Sequence, residues 1–408
     1  MILRARIVLP LDGLPIENGA VVVDGNRIKA VGRAADLVVG DGEDVTDLGD
    51  VVLMPGLINA HCHLDYTILR GAILPQKSFT AWVQRINAVK RSLDAEDCLN
   101  SIAEGFAQCL AWGTTTVCTI ESFPELMPRM PDPPLRTWWF YEMIDVRHRI
   151  TTEDVVQGAL SFFQHRAGSL ASFGLSPHAP FTASLDLYRL AGDCAQAFAM
   201  PLTTHLAESD EEFAMFTEAK GPLYDFLKSI QRPMSDCGYA TPFAQLWNAG
   251  AVNSQWLLAH MNQLSESDFE LLGSLPRGSK PTVVHCPGTH QYFDRPPFPW
   301  QRLEQLGVNL CVGTDSLAST DSLSLLAELR RLSAAEPSLT AEQLLRTVTR
   351  NAARSLRREA QLGKIAPGAL ADLIALPVSG NVEDVHEEIV QYDRAIPWVM
   401  IDGQILRS

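Results

Sequence analysis

The chain has 408 residues, 46% of them hydrophobic and 20% charged, with a formal net charge of -15. That length can bury a large core, and the composition is ordinary for a globular protein. The acidic balance argues against a general phosphate-binding surface, which needs clustered Lys and Arg to displace counterions, so neither nucleic acid nor an anionic membrane is an expected partner.

At the amino end, "ARIVLP" and "GAVVVDGNRIKAVG" alternate β-rich runs with turn signals, and Asp24-Gly25 stands where a hairpin would turn. The start "MILRARIVLPLDG" lacks the long apolar region of a secretory signal, and no apolar run approaches the roughly 20 residues of a membrane span, so a cytoplasmic location is expected. From about residue 52 to 360, short apolar runs alternate with helical patterns, as in a parallel sheet with crossover helices. The strand candidates are "VVLMPGLINAH", "GTTTVCTI", "RTWWFYEM", "SFGLSPHA", "MPLTTHLAE", "QWLLAHM", "PTVVHC" and "GVNLCVGTD". Stretches such as "LDLYRLAGDCAQAFA" and "DSLSLLAELRRLSA" between them have amphipathic helical spacing. About eight such units fit an α/β fold of the (β/α)8 TIM-like barrel type. A doubly wound sheet is the alternative, and no G-x-G-x-x-G turn supports it. At the carboxyl end, "ADLIALPV" and "PWVMIDGQIL" repeat the hairpin pattern at Asp402-Gly403. The expected organisation is therefore residues 1–54 and 361–408 as two parts of one small composite β-sandwich, with the barrel at 55–360 between them. The eight cysteines show no C-x-x-C pair and sit mostly in apolar runs, as reduced core thiols do.

The barrel runs end in ionisable residues: His61 and His63, His178, His205, His260, His285 and Asp315. Strand ends converge at one mouth of a barrel, where barrel enzymes place their active sites. In an extended strand, residues i and i+2 face the same side, so His61 and His63 aim at one point. His148, His165 and His386 fall outside the pattern and read as surface or loop residues. Any one of these histidines could be a hydrogen-bonded core residue, but a mouth full of unpaired imidazoles would be costly without a ligand. Imidazole nitrogen and carboxylate oxygen are the ligand set of Zn²⁺ or Fe²⁺, so His61, His63, His205 and Asp315 are the expected ligands of one divalent metal ion, zinc, with iron as the alternative. Bound water would then become a hydroxide near pH ~7, which makes hydrolysis the natural chemistry. Glu208, three residues beyond His205, is placed to move protons between water and substrate. His260 could assist the hydroxide, and Asp315 could also accept its proton.

The segments "MPGLINAHCHLD", "SPHAPFTAS", "THLAES", "LLAHMNQL", "HCPGTH", "GTDSLAS" and "LGKIAPGALADLIAL" together resemble the amidohydrolase superfamily. Within it they resemble the branch of cytosine deaminases, S-adenosylhomocysteine deaminases and chlorohydrolases, nearly end to end. The resemblance implies a mononuclear zinc, sometimes iron, hydrolase of aminated heterocycles with a composite β-sandwich beside its barrel. It implies that metal-bound hydroxide attacks the amino-bearing ring carbon of an aminated purine nucleoside or related heterocycle, such as an adenosine derivative, and releases ammonia. It also implies metal binding at His61, His63, His205 and Asp315, proton shuttling at Glu208, an assisting role for His260 and a substrate contact at His178. Binuclear members use a bridging carboxylated lysine on strand four; "SFGLSPHA" offers none, so one metal is expected.

Two segments depart from the common nucleoside-deaminase pattern. "CPGTHQYF" supplies His290 where relatives carry Asn, and "KSFTAWVQRINAVKR" keeps Trp82 but adds Arg85, Lys90 and Arg91. Trp82, Arg91 and His290 are thus expected substrate contacts, and with Arg295 the basic residues would make an electropositive wall suited to a carboxylate. Solvated helix faces would carry the same letters. "HLDYT" followed by "SFTAWV", together with "THLAESDEEF" and "DSLSLLAELR", resembles the aminodeoxyfutalosine deaminases. The alternative functions are hydrolysis of another C–N or C–Cl bond, as in a triazine, and a metal-free interaction scaffold, against which the full ligand set argues. The expected partner is a small heterocyclic substrate, and the expected assembly is a homodimer.

Overall fold

In the computed structural model, which describes residues 1–37, 44–130, 132–146, 150–164 and 170–408, the chain begins with β1 (Ile2–Val8), β2 (Ile16–Asp24), β3 (Arg27–Arg33), β4 (Val45–Asp47) and β5 (Val51–Pro55). The β2–β3 hairpin turns at Gly25 and Asn26, with Asp24 paired to Arg27 and Gly25 at φ 61. Eight strands then alternate with helices: β6 (Leu57–Cys62), β7 (Thr114–Glu121), β8 (Arg136–Met143), β9 (Ala171–Pro177), β10 (Leu202–Leu206), β11 (Trp256–His260), β12 (Thr282–His285) and β13 (Asn309–Val312). The chain ends with β14 (Leu373–Pro377), β15 (Trp398–Ile401) and β16 (Gln404–Arg407). Asp402 and Gly403, at φ 52 and 76, make the last hairpin. Two successive positive φ values match the right-handed twist of the strands they join.

β6 to β13 pair in parallel, in chain order, as an eight-stranded sheet. β6, β7, β10, β11 and β12 are buried at every residue, because core and helices cover both faces; this is why they read as continuous apolar runs rather than alternating ones. The intervening helices start at side-chain caps. Ser184 accepts from the Leu187 N–H and Ser324 from that of Ala327, each meeting a donor that the first helical turn leaves open. Between β13 and β6, a bridge joins Cys62 to Asp315, and the His61 carbonyl accepts from Thr314 N (3.1 Å) and Asp315 N (3.0 Å), closing the barrel. Gly313 makes this approach feasible, since a Cβ there would stand 2.6 Å from the His61 oxygen.

The strands from the two ends form a second eight-stranded sheet, ordered β16-β15-β14-β5-β1-β2-β3 with β4 beside β1. Leu3, Val21, Leu53, Leu373, Trp398 and Met400 build its own core. The run "VVLMPGLINAH", read as one barrel strand, is two: β5 belongs to this second sheet and β6 to the barrel. The break falls at Gly56, where a Cβ would lie 2.1 Å from Thr115 Oγ1, and hydrophobicity alone carries no mark of it. Arg136, at the start of β8, ties the two sheets together. Its Nε and Nη2 donate to Asp372 (2.7 and 3.1 Å), and Nη2 also donates to Asp402 (3.0 Å). Among the described residues no helix is long and apolar enough to cross a membrane. His148 and His165 lie outside the described residues, and His386 is on helix Val385–Gln391.

Candidate metal centre and active-site cavity

Every barrel strand delivers its last residues to one mouth, and the chemistry is assembled there from short strand extensions. His61 stands on β6 and His63 just beyond it, with ring centroids 5.2 Å apart. His205 on β10 brings its ring to 5.0 Å from His61 and 5.2 Å from His63. His260 closes β11 and lies 5.5 Å from both His61 and His205, ring to ring. Asp315, just past β13, places Oδ1 3.8 Å from His61 Nε2 and 3.9 Å from His63 Nε2, with Oδ2 3.9 Å from His260 Nε2. Two triads, His61/His63/His205 and His61/His260/Asp315, each hold their donor atoms within 4.8 Å of one another. The turns are tight: Ala207, His260 and Asp315 all adopt positive φ, at 50°, 74° and 57°. Left-handed backbone at non-glycine residues costs on the order of 1–3 kcal/mol each and persists only where surrounding structure enforces it.

The donor atoms fit one metal ion. His63 Nε2 and His205 Nε2 are 3.1 Å apart, a separation natural for two ligands that each sit ~2.0–2.1 Å from a common ion. His205 donates its Nδ1 proton to the His178 carbonyl at 2.9 Å, which leaves Nε2 bare towards the cluster; such an outer hydrogen bond is how metal-binding imidazoles are oriented. His61 Nδ1 and Nε2, His63 Nδ1 and His260 Nε2 are buried with no hydrogen-bond partner among the described residues. Burial, reinforced by neighbouring imidazoles, drives His63 well below the ordinary histidine range and His205 to about 3, so these rings are neutral and present lone pairs. Burial opposes ionisation of Asp315, but the imidazoles of His61, His260 and His63 outweigh it and hold the carboxyl below its usual range.

Glu208 is 7% exposed, and its Oε2 lies 3.8 Å from His260 Nε2. Burial first, then the Asp315 charge, pushes its carboxyl well above the carboxylate range against the opposing pull of Arg295. Glu212 fixes this turn by accepting from the N–H groups of Ala207 (3.2 Å) and Glu208 (2.7 Å). His63, His205, His260, Glu208 and Asp315 together line a cavity of about 280 Å³. Phe79, Trp82 and Ile86, from helix Phe79–Lys90, and Leu223, Phe226 and Leu227 also line it, making its walls largely apolar.

Of the expected substrate contacts, His178 and Trp82 line the cavity. Arg91, His290 and Arg295 do not, so the electropositive wall expected from them is not built. Arg91 is an exposed residue capping the carboxyl end of its helix. His290 is engaged at both ring nitrogens, by Asn262 Oδ1 (3.2 Å) and the Pro296 carbonyl (2.9 Å). Arg295 pairs with Asp210 at 3.3 Å and lies over the Phe293 ring at 4.8 Å. His285, counted with the strand-end constellation, packs on Phe298 with centroids 4.1 Å apart instead of joining the cluster. Lys90 is the basic residue of this segment that does reach the cavity; its Nζ donates to the Tyr66 hydroxyl and sits 4.9 Å from the Tyr66 and Phe123 rings. Arg232 also lines it, but its guanidinium is held by both Asp236 oxygens (2.7 and 2.6 Å) and by the Phe181 and Pro180 carbonyls. Glu142, the penultimate residue of β8, is a cavity residue not expected from the sequence, because "RTWWFYEM" ends in Met143 and hides its glutamate one place inside the strand.

Comparison with known proteins gives a consistent family. The amidohydrolase family profile matches residues 52–406. A 5-methylthioadenosine/S-adenosylhomocysteine deaminase of Pyrococcus furiosus is 28% identical over 389 residues, covering 91% of this chain and 85% of its own length. The crystal structure of an adenosine deaminase from Xanthomonas campestris with bound zinc superposes with a TM-score of 0.83 at 26% identity, over 99% of this chain and 92% of that one. The Helicobacter pylori aminofutalosine deaminase shares the fold at a TM-score of 0.85 and 20% identity, over 99% of each chain.

Proposed function

The chain belongs to the amidohydrolase family, and from that premise we propose that it is a metal-dependent hydrolytic deaminase of an adenosine-type nucleoside, adding water at the amino-bearing ring carbon and releasing ammonia. The observation that carries this reading is the convergence of four donor residues, His61, His63, His205 and Asp315, with a buried Glu208 and His260 at a largely apolar cavity. The deaminase names of the Pyrococcus and Xanthomonas relatives, and the zinc of the latter, support it. A divalent ion, zinc in this reading, would be held by those four residues and when bound lowers the pKa of a coordinated water towards ~7.

Glu208 takes a proton from the attacking water and delivers it to the ring nitrogen beside the reacting carbon, so the ring accepts the new C–O bond without building up negative charge. His260, 3.8 Å from Glu208 Oε2 and 3.9 Å from Asp315 Oδ2, orients the water between the two carboxyls. Asp315 receives the remaining oxygen-bound proton and passes it to the departing amine, which leaves as ammonia while the ring carbonyl forms. His178 and Trp82 border the ring's position, and the apolar walls exclude competing water.

Ammonia release across adenosine, 5′-methylthioadenosine, S-adenosylhomocysteine, aminodeoxyfutalosine, guanine, cytosine and a chlorinated, alkylaminated triazine tests the reading. Turnover concentrated in the adenosine derivatives is expected. Chloride or alkylamine from the triazine, with no ammonia from any purine, would replace it with the chlorohydrolase alternative.

A further inference from the structure

Glu142 is the cavity's unexplained charge. Its side chain is 8% exposed and lines the cavity, yet among the described residues none donates a hydrogen bond to its carboxylate and no lysine or arginine pairs with it. His178 Nε2 stands 3.9 Å from its Oε1, beyond hydrogen-bond reach. A carboxylate accepts hydrogen bonds and gives none, and leaving one buried without donors costs free energy that an apolar residue at the same place would avoid. Its position is equally specific. β8, β9 and β10 are consecutive strands around the mouth, and their ends supply Glu142, His178 and His205 in turn. The His178 ring, 5.0 Å from His205, thus separates Glu142 from the donor cluster by the width of one imidazole.

In a purine nucleoside the amino-bearing carbon and the glycosidic nitrogen lie on opposite sides of the bicycle. With the amino group at the donor cluster, the sugar falls about one ring system away along the cavity. Its two vicinal hydroxyls offer paired O–H donors on one face, the complement of a two-oxygen acceptor.

We propose that Glu142 is the sugar-recognition residue of the cavity, its carboxylate accepting hydrogen bonds from the vicinal hydroxyls of a ribonucleoside. This rests on the nucleoside reading above and adds the residue that reads the sugar, with selection for ribonucleosides over their 2′,3′-dideoxy counterparts as its consequence. It also assigns the neighbouring cation: Lys90 is committed to the Tyr66 hydroxyl, which in turn donates to Ser122 Oγ at 2.8 Å, so Glu142 keeps its acceptor capacity for the substrate.

The test compares kcat/KM for adenosine, 2′-deoxyadenosine and 2′,3′-dideoxyadenosine in the wild-type metalloenzyme and in Glu142→Gln. A hydrogen bond to a charged acceptor predicts that the wild type favours adenosine over the dideoxy compound by roughly ten- to a hundredfold, and that Glu142→Gln cuts this ratio to about threefold or less. Metal content should be the same in both proteins, and Glu142→Asp should restore part of the ratio, which a merely structural carboxylate would not do. An undiminished ratio in Glu142→Gln overturns the assignment while leaving deamination standing. Ammonia from none of the three in the wild type overturns the nucleoside reading and this assignment with it.

Discussion

The two ends of β8 carry opposite solutions to buried charge. At its start, Arg136 is met by Asp372 and Asp402, and Asp372 also accepts from the Asp402 N–H at 2.8 Å, so the group is closed on itself. At its end, Glu142 and the histidines beyond it leave acceptors facing a cavity, with His61 unpartnered at both ring nitrogens. Both regions bear the desolvation cost of burial, and only the first recovers it within the protein. A closed polar group stabilises; an open, convergent one is organised for something that binds. Distinguishing the two needs only the hydrogen-bond partners, and each can be broken separately.

The largest effect is expected at the open end. Asp315→Ala should lose bound metal, read by elemental analysis, and with it at least the ~10⁴-fold in kcat that marks the top of the acid–base range. Retention of stoichiometric metal with normal turnover would remove Asp315 from the ligand set. Glu208→Gln should sharpen the contrast by lowering kcat ~10²- to 10⁴-fold while metal content stays unchanged; a rate within about threefold of wild type would rule out the proton-transfer role. Arg136→Met acts at the closed end. Stranding Asp372 and Asp402 should cost about 3–5 kcal/mol in denaturant unfolding, with kcat per folded molecule preserved.

Glu328 falls between the extremes. It accepts from the Gly288 N–H and from Arg331, yet burial still lifts its carboxyl to about 7, against the pull of Arg331. Because the folded-state value is raised, its contribution is fully present below the unfolded value near ~4.5 and is lost as pH rises towards 7. Glu328→Gln should therefore flatten the decline in wild-type stability between those values, by up to about 2–3 kcal/mol; parallel unfolding profiles would show that the carboxyl is not held protonated. The smallest effect belongs to Arg91→Ala, which should change kcat/KM for carboxylate-bearing and plain adenosines alike by no more than about twofold, as for an ordinary surface substitution.

Much of the donor cluster was legible in the letters because strand geometry translates spacing into direction. His61 and His63 at i and i+2, and single ionisable residues ending successive apolar runs, can point only to the mouth once the runs are parallel. Glu142 escapes that rule because β8 runs one residue past it, to Met143, so its glutamate reads as a residue inside the strand. Loops gave no such rule. Lys90 and Arg91 are adjacent letters, yet one reaches the cavity and the other the solvent, since their helix ends between them. His285 sits at a strand end like the others, and its ring was claimed by Phe298, a tertiary contact with no local signature.

The closure between β13 and β6 has a further consequence. It is made by an isolated bridge, Cys62 to Asp315, and it joins parts of the chain that are distant in sequence. Under the proposed ligand set the seam is straddled, with His61 and His63 on one lip and Asp315 on the other. An ion held by both lips would act as a clasp, and its binding free energy would enter as folding free energy at this seam. The metal-depleted protein should then breathe along this line first, with amide hydrogen exchange accelerating in β6 and β13 while β8 and β9, joined by a continuous seven-pair ladder, keep their protection. The catalytic centre and the lock of the barrel would be the same few atoms.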